Sequence, residues 1–133
     1  MAFVLDASMA LSWCFHDEAN PLADSIQDRL VAEKGVVPTL WRYEMANALA
    51  VARRRGRLDD ADLDTIDVLL ASMNIEEASA PGIAELARLA GEHGLTAYDA
   101  AYLQVAVARG LPLATLDATL ADAARSAGVT LLP

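Results

Sequence analysis

Short apolar runs recur along this chain between longer segments of helical period, and that alternation restricts it to a parallel α/β architecture. The run Ala2–Leu5 ends abruptly at Asp6 and predicts a buried strand. Val36–Pro38, Asn74–Glu76, Leu113–Ala114 and Val129–Leu132 predict further short strands. Between them the spacing predicts helices over Ala7–Trp13, Asn20–Lys34, Leu40–Arg55, Asp59–Ser72, Gly82–His93, Ala97–Arg109 and Ala118–Ala127. In Leu40–Arg55, Trp41, Met45, Ala48 and Ala52 share one face; in Gly82–His93, Ile83, Leu86, Leu89 and Ala90 do. Asn20 is placed to cap the second helix, with Pro21 at its first position and Gly35 closing it. Parallel strands need crossover connections, normally helices, which then cover the sheet. The expected fold is therefore α/β: a short-stranded parallel sheet with helices on both faces. With no repeat, linker or low-complexity stretch, residues 1–133 read as one domain.

A chain of 133 residues buries roughly two-thirds of its unfolded surface, enough for a core without disulfides. Hydrophobic residues make up 55%, rich in Ala and Leu, which favours helices over a β-sandwich. No apolar run approaches the ~18 residues of a membrane span, so no membrane partner is expected. The opening MAFVLDAS lacks a basic region and is interrupted by Asp6, unlike a secretory signal. The lone Cys14 excludes an intramolecular disulfide and a cysteine zinc site, and reads as a small core residue.

The net charge of −9 alone argues against a nucleic-acid partner. The charge is uneven, however. Arg53, Arg54, Arg55 and Arg57 gather four of the ten basic residues at one helix end. They either complement the helix dipole or contact a phosphate backbone. A bound divalent cation would also reverse the sign of any acidic cluster.

In an open parallel sheet, sites gather at the carboxyl ends of strands. Four acids stand there or interrupt apolar helix faces. Asp6 ends the first strand; it is either the next helix's N-cap or a functional carboxylate that Ser8 could orient. Glu44 falls beside Leu40, Ala48 and Val51 on the wheel, with Asn47 one turn away. A carboxylate flanking an apolar face is costly unless paired or coordinated; otherwise it is a rim charge. Asp99, three residues after Thr96, fits a variant capping box, yet it shares a face with Tyr102, Leu103 and Ala106. Asp117 follows the strand Leu113–Ala114, as an N-cap or as a carboxylate supported by Thr115. Together, four converging carboxylates would repel one another, and a hard divalent cation is the usual remedy. Magnesium or manganese suits such a set better than zinc. Metal held this way can activate water for phosphoryl displacement.

Phosphate-binding glycine loops, the dinucleotide fingerprint and the serine nucleophile elbow are all absent. His16 and His93 stand alone, and the tryptophans and methionines read as core.

Phe3–Ser8 resembles the opening strand and D-x-S motif of PIN domains. Glu44–Leu49 resembles their helical acidic motif, Thr96–Tyr102 their most distinctive segment, and Leu113–Leu120 their closing T-x-D motif. Four motifs in order, over the whole length, are similar to the VapC-like toxins of VapBC toxin–antitoxin pairs. The resemblance implies an endoribonuclease dependent on Mg2+ or Mn2+, cutting cellular RNA through metal-activated water. It implies Asp6, Glu44, Asp99 and Asp117 as catalytic, metal-binding acids, with Ser8, Asn47 and Thr115 in support. It further implies a homodimer, a VapB-like antitoxin that blocks the site, and a cytoplasmic location.

The rival readings are a non-catalytic PIN scaffold binding RNA or protein, and another metal-dependent phosphate hydrolase. A dehalogenase-type phosphatase would carry a second Asp where Ser8 stands. A receiver-like signalling domain would need a late lysine, and the only lysine is Lys34.

Overall fold

A computed structural model describes Met1–Pro133. Its elements run β1 (Ala2–Leu5), α1 (Ala7–Leu11), a 3-10 turn at His16–Glu18, α2 (Pro21–Arg29), β2 (Lys34–Val37) and α3 (Leu40–Arg54). There follow α4 (Asp60–Ser72), β3 (Ile75–Glu77), α5 (Ile83–His93), α6 (Ala97–Arg109), β4 (Leu113–Ala114) and α7 (Ala118–Ser126). The expected α/β class is the observed one.

The sheet has the order β3-β2-β1-β4, and every pairing is parallel. Consecutive residues of a strand point to opposite faces. Phe3, Val4 and Leu5 are nevertheless all fully buried, so both faces of β1 are covered. Helix α6 carries much of that cover. Ala100, Ala101, Tyr102 and Leu103 are buried in succession, more than one helical face allows for a surface helix. With Phe3, Val36, Leu113 and Leu120, Tyr102 and Leu103 belong to a continuous core.

The strand order positions the site. The chain moves outward from β1 through β2 to β3, then returns to place β4 on the other side of β1. The winding direction reverses between β1 and β4, and in open α/β sheets the crevice beyond the carboxyl ends at such a point is where ligands bind. Asp6 follows β1 directly, and Asp117 lies three residues past β4.

Local chemistry explains most helix ends. Asn20 Oδ1 accepts from the amides of Leu22 (2.9 Å) and Ala23 (3.3 Å), with Pro21 at the first helical position. Asp59 and Asp62 form a reciprocal capping box at the start of α4. The structure differs from the sequence expectation at four places. Helix α2 stops at Arg29, where the bonding tightens to three-residue turns (Leu30 to Gln27, Val31 to Asp28, Ala32 to Arg29) and leaves Val31 exposed. Gly35 then lies inside β2 rather than closing α2, and a Cβ there would meet the Leu30 side chain at 3.0 Å. Val129–Leu132 makes only one bridge, Leu131 to Leu113, so it is a tail along β4 rather than a strand. Ile83 is 90% exposed and leaves Leu86, Leu89 and Ala90 to face inward.

Candidate functional site

Asp6 is buried at the N-cap position of α1, yet its carboxylate does not cap the helix. It accepts instead from the hydroxyls of Ser8 (2.7 Å) and Thr115 (2.7 Å), both on Oδ2. Those hydroxyl oxygens in turn accept backbone amides: Leu116 donates to Ser8 Oγ (3.0 Å) and Asp117 to Thr115 Oγ1 (3.0 Å). The segment after β1 is thereby tied to the segment after β4, and Asp6 is held from two directions. Ser8 and Thr115, expected from the sequence to stand beside the acids, both lie against Asp6.

Glu44 lies in the second turn of α3 and is half-buried. Its Oε1 accepts from the Tyr102 hydroxyl (2.5 Å), a contact between residues 58 apart in the chain. Tyr102 is wholly enclosed, and burial together with the Glu44 carboxylate raises its phenol pKa. The sequence reading placed Tyr102 only as apolar company for Asp99. A buried tyrosine needs a partner for its hydroxyl, which was the available signal. Asn47 is exposed and makes no side-chain hydrogen bond, so nothing ties it to the acids.

Asp99 follows the Thr96 cap, whose hydroxyl oxygen accepts the Asp99 amide (3.2 Å). The return bond of a capping box is not made, in contrast to Asp59 and Asp62, which leaves the Asp99 carboxylate unspent. Asp117 caps α7 by accepting from the Thr119 amide (2.9 Å).

The acids feel one another. Burial is the main reason that Asp6, Glu44 and Asp99 all rise above ordinary carboxyl pKa values. Repulsion adds to it: Asp117 acts on Asp6 and Asp99, Asp6 acts on Glu44 and Asp99, and Asp99 acts on Glu44. The hydroxyls of Thr115 and Ser8 pull Asp6 the other way without prevailing. None of the chain's eight ion pairs involves these four residues.

This set suits a hard divalent cation by its chemistry: four oxygen donors, partly desolvated, with no protein cation among them. No three or more of the chain's Asp, Glu, His or Cys side chains stand close enough together to hold a metal ion between them in this structure. The fit is thus one of donor type and charge, with the acids anchored on separate elements.

The basic stretch divides. Arg53 is paired with Asp60 (2.6 Å). Arg57 pairs with Asp17 (3.0 Å) and Glu18 (3.2 Å) and lies over the Phe15 ring. Arg54 and Arg55 are exposed and enter no ion pair. Cys14 is half-buried, and burial raises its thiol to about 11, which makes it a poor nucleophile. No helix is long and apolar enough to cross a membrane.

Acids just after β1, on α3, on α6 and three residues beyond β4, at the switch point of the sheet, define a class that the family comparison names. The PIN domain model matches residues 3–126, and the chain belongs to the PIN-domain family. More particularly, it is 40% identical over 89 residues to Exonuclease VapC9 of Pyrobaculum aerophilum, a stretch covering 66% of this chain and 65% of that protein. Among solved structures it is similar to PAE2754 of the same organism, with 30% identity, a TM-score of 0.71, and 92% of this chain and 87% of that one covered. The fold is also that of VapBC2 from Rickettsia felis, solved with a DNA fragment from its promoter (TM-score 0.69, 13% identity, 99% and 98% covered). FitAcB from Neisseria gonorrhoeae shares it as well (0.68, 18%, 100% and 97%).

Proposed function

We propose that this chain is a divalent-cation-dependent endoribonuclease, the toxin of a VapBC-type toxin–antitoxin pair. The observation that carries the reading is the group of four mutually repelling carboxylates, at the switch point of a PIN fold, that no Lys, Arg or His neutralises. The family membership and the similarity to a relative named as an exonuclease support nucleic-acid hydrolysis.

Asp6, Glu44, Asp99 and Asp117 would hold Mg2+ or Mn2+. When bound, the cation would supply activation of water and neutralisation of charge developing on the scissile phosphate. Ser8 and Thr115 hold Asp6 in one orientation, and their own bonds to the Leu116 and Asp117 amides keep that orientation from drifting. The half-made cap at Asp99 fixes its backbone and leaves its carboxylate without a hydrogen bond, so that it would be available to a cation. Asp117 accepts the Thr119 amide on Oδ1, and its Oδ2 would be the oxygen offered to the cation. Arg54 and Arg55, which have no ion-pair partner, would meet the RNA backbone; Arg53 and Arg57 are engaged within the chain. The partner in the cell would be a VapB-like antitoxin presenting Arg or Lys to the acids. A homodimer and a cytoplasmic location belong to the same reading.

The test is cleavage of an internally labelled circular RNA, with Mg2+ or Mn2+ and then with chelator, by wild type and by Asp99→Asn. The expected result is cation-dependent opening of the circle by wild type and on the order of a 100-fold or greater loss in the variant. Cleavage of linear RNA only from its ends would make the activity exonucleolytic. Binding without cleavage would make the chain a scaffold, and phosphate release from small monoesters would make it a phosphatase.

A further inference from the structure

Helix α6 brings two polar side chains to the crevice from one face: Asp99 and, three residues later, Tyr102. Asp99 stands among the acids. Tyr102 is entirely buried; its hydroxyl donates to Glu44 on α3 and also meets the backbone amide of Ala7. Glu44 has no other side-chain partner. The three χ torsions of a glutamate would otherwise let its carboxylate swing along the α3 surface toward water, away from the repulsion of Asp6 and Asp99. The tyrosine ring, packed in the core, is a rigid post that prevents this.

We propose that Tyr102 is a positioning residue: it holds Glu44 toward the other acids and so sets the affinity of the site for a divalent cation. This rests on the cation-dependent reading of the acid cluster. The hydroxyl donates to a single oxygen, Oε1, and its bond is of the kind that orients a ligating carboxylate from behind. It also couples α6 to α3, so a single helix supplies one acid directly and fixes a second through its neighbour. Asp6 receives the equivalent service from Ser8 and Thr115. Each of the two most buried acids is therefore held by hydroxyl donors, and no cationic donor takes part, which preserves the charge that a cation needs.

Calorimetric titration of the full chain with Mn2+ tests this. In wild type, binding must be seen; its absence overturns the cation-dependent reading itself. Tyr102→Phe keeps the ring and removes the hydroxyl, and it should weaken Mn2+ affinity by about 10- to 100-fold. Its activity should return toward wild type at saturating Mn2+, so the effect appears in the cation's half-saturation rather than in the maximal rate. In a Glu44→Gln background the same change should have no further effect on Mn2+ affinity. Equal Mn2+ affinity in wild type and Tyr102→Phe, or equal weakening with and without the Glu44 carboxylate, overturns the positioning role. Should Tyr102→Phe fail to fold, wild type labelled with 3-fluorotyrosine gives the answer. Signals from Tyr43 and Tyr98 are assigned by their phenylalanine variants. The remaining signal, from Tyr102, should move on Mg2+ addition as Glu44 shares its charge. A Tyr102 signal indifferent to saturating Mg2+ contradicts the proposal.

Discussion

Two parts of this molecule treat the same residue type in opposite ways. Toward the amino ends of the strands, Glu76 on β3 lies between Lys34 of β2 (3.1 Å) and Arg109 at the end of α6 (2.6 Å). Those cations, Arg109 first, hold its carboxyl below the ordinary range. At the carboxyl ends, Asp6, Glu44 and Asp99 have no cation, and burial followed by mutual repulsion holds them above it. Helix α6 joins the two regions, with Asp99 in its first turn and Arg109 in its last. The difference teaches that the chain has basic residues to spend and spends them elsewhere. A fold selected for stability alone would not keep buried acids unpaired, since an uncompensated buried charge is destabilising. Leaving them unpaired has a stability cost that a bound cation can offset.

The largest expected contrast is in activity. Asp6→Asn keeps the shape of the side chain and removes its charge, and it should reduce cation-dependent RNA cleavage on the order of 100- to 1000-fold. Glu76→Gln, made in the paired region, should leave cleavage within about twofold, as surface substitutions away from a site generally do. Equal losses in initial-rate assays would mean that both acids act through the fold, and the contrast between the two regions would disappear.

A smaller effect is expected at the helix end. Arg54→Gln with Arg55→Gln should weaken RNA binding and reduce the steepness of its salt dependence, by about 0.7 per lost phosphate contact on a single strand. Arg53→Gln should change that slope less, because Arg53 is already paired with Asp60. Binding titrations at several salt concentrations separate the two. An equal slope in all three proteins assigns the stretch to the helix terminus or to a protein partner.

Much of this contrast was legible in the sequence, and the rest was hidden for definite reasons. Asp6 and Asp117 were readable because one directly follows an apolar run and the other comes three residues after one, and the strand-end rule needs no tertiary information. The parallel class was readable from alternating periods. Asp99 was readable as a cap, but only the structure shows that the reciprocal half of the box is missing. The partner of Glu44 was not readable, since Tyr102 lies 58 residues away and looks like an ordinary core aromatic. The pairing of Arg57 with Asp17 and Glu18 was hidden for the same reason, as it depends on how the α3–α4 turn meets the 3-10 turn. Gly35 misled because a glycine after a helical pattern usually ends it; here it gives room to Leu30 where β2 packs. The tail at Val129–Leu132 has strand-like residues but reaches β4 by a single bridge, β4 itself being two residues long.

Linkage turns the difference between the regions into opposite pH dependences. Glu76, whose pKa is lowered on folding, contributes stability that is present above its unfolded pKa and is lost as pH falls through the folded value. For Asp6, Glu44 and Asp99 the folded values are raised from 3.8, 4.5 and 3.8. The folded state then binds more protons than the unfolded one, so their contribution is greatest below those starting values and declines as pH rises through the folded ones. At neutral pH without metal, all three acids oppose folding. Thermal unfolding of wild type and Asp99→Asn at neutral pH, each with chelator and with excess Mn2+, therefore tests the central claim most directly. The account predicts that in chelator the variant melts higher than wild type, by on the order of 3 °C. It also predicts that Mn2+ raises wild type more than the variant. A variant that melts lower in chelator, with both proteins gaining equally from Mn2+, would contradict it.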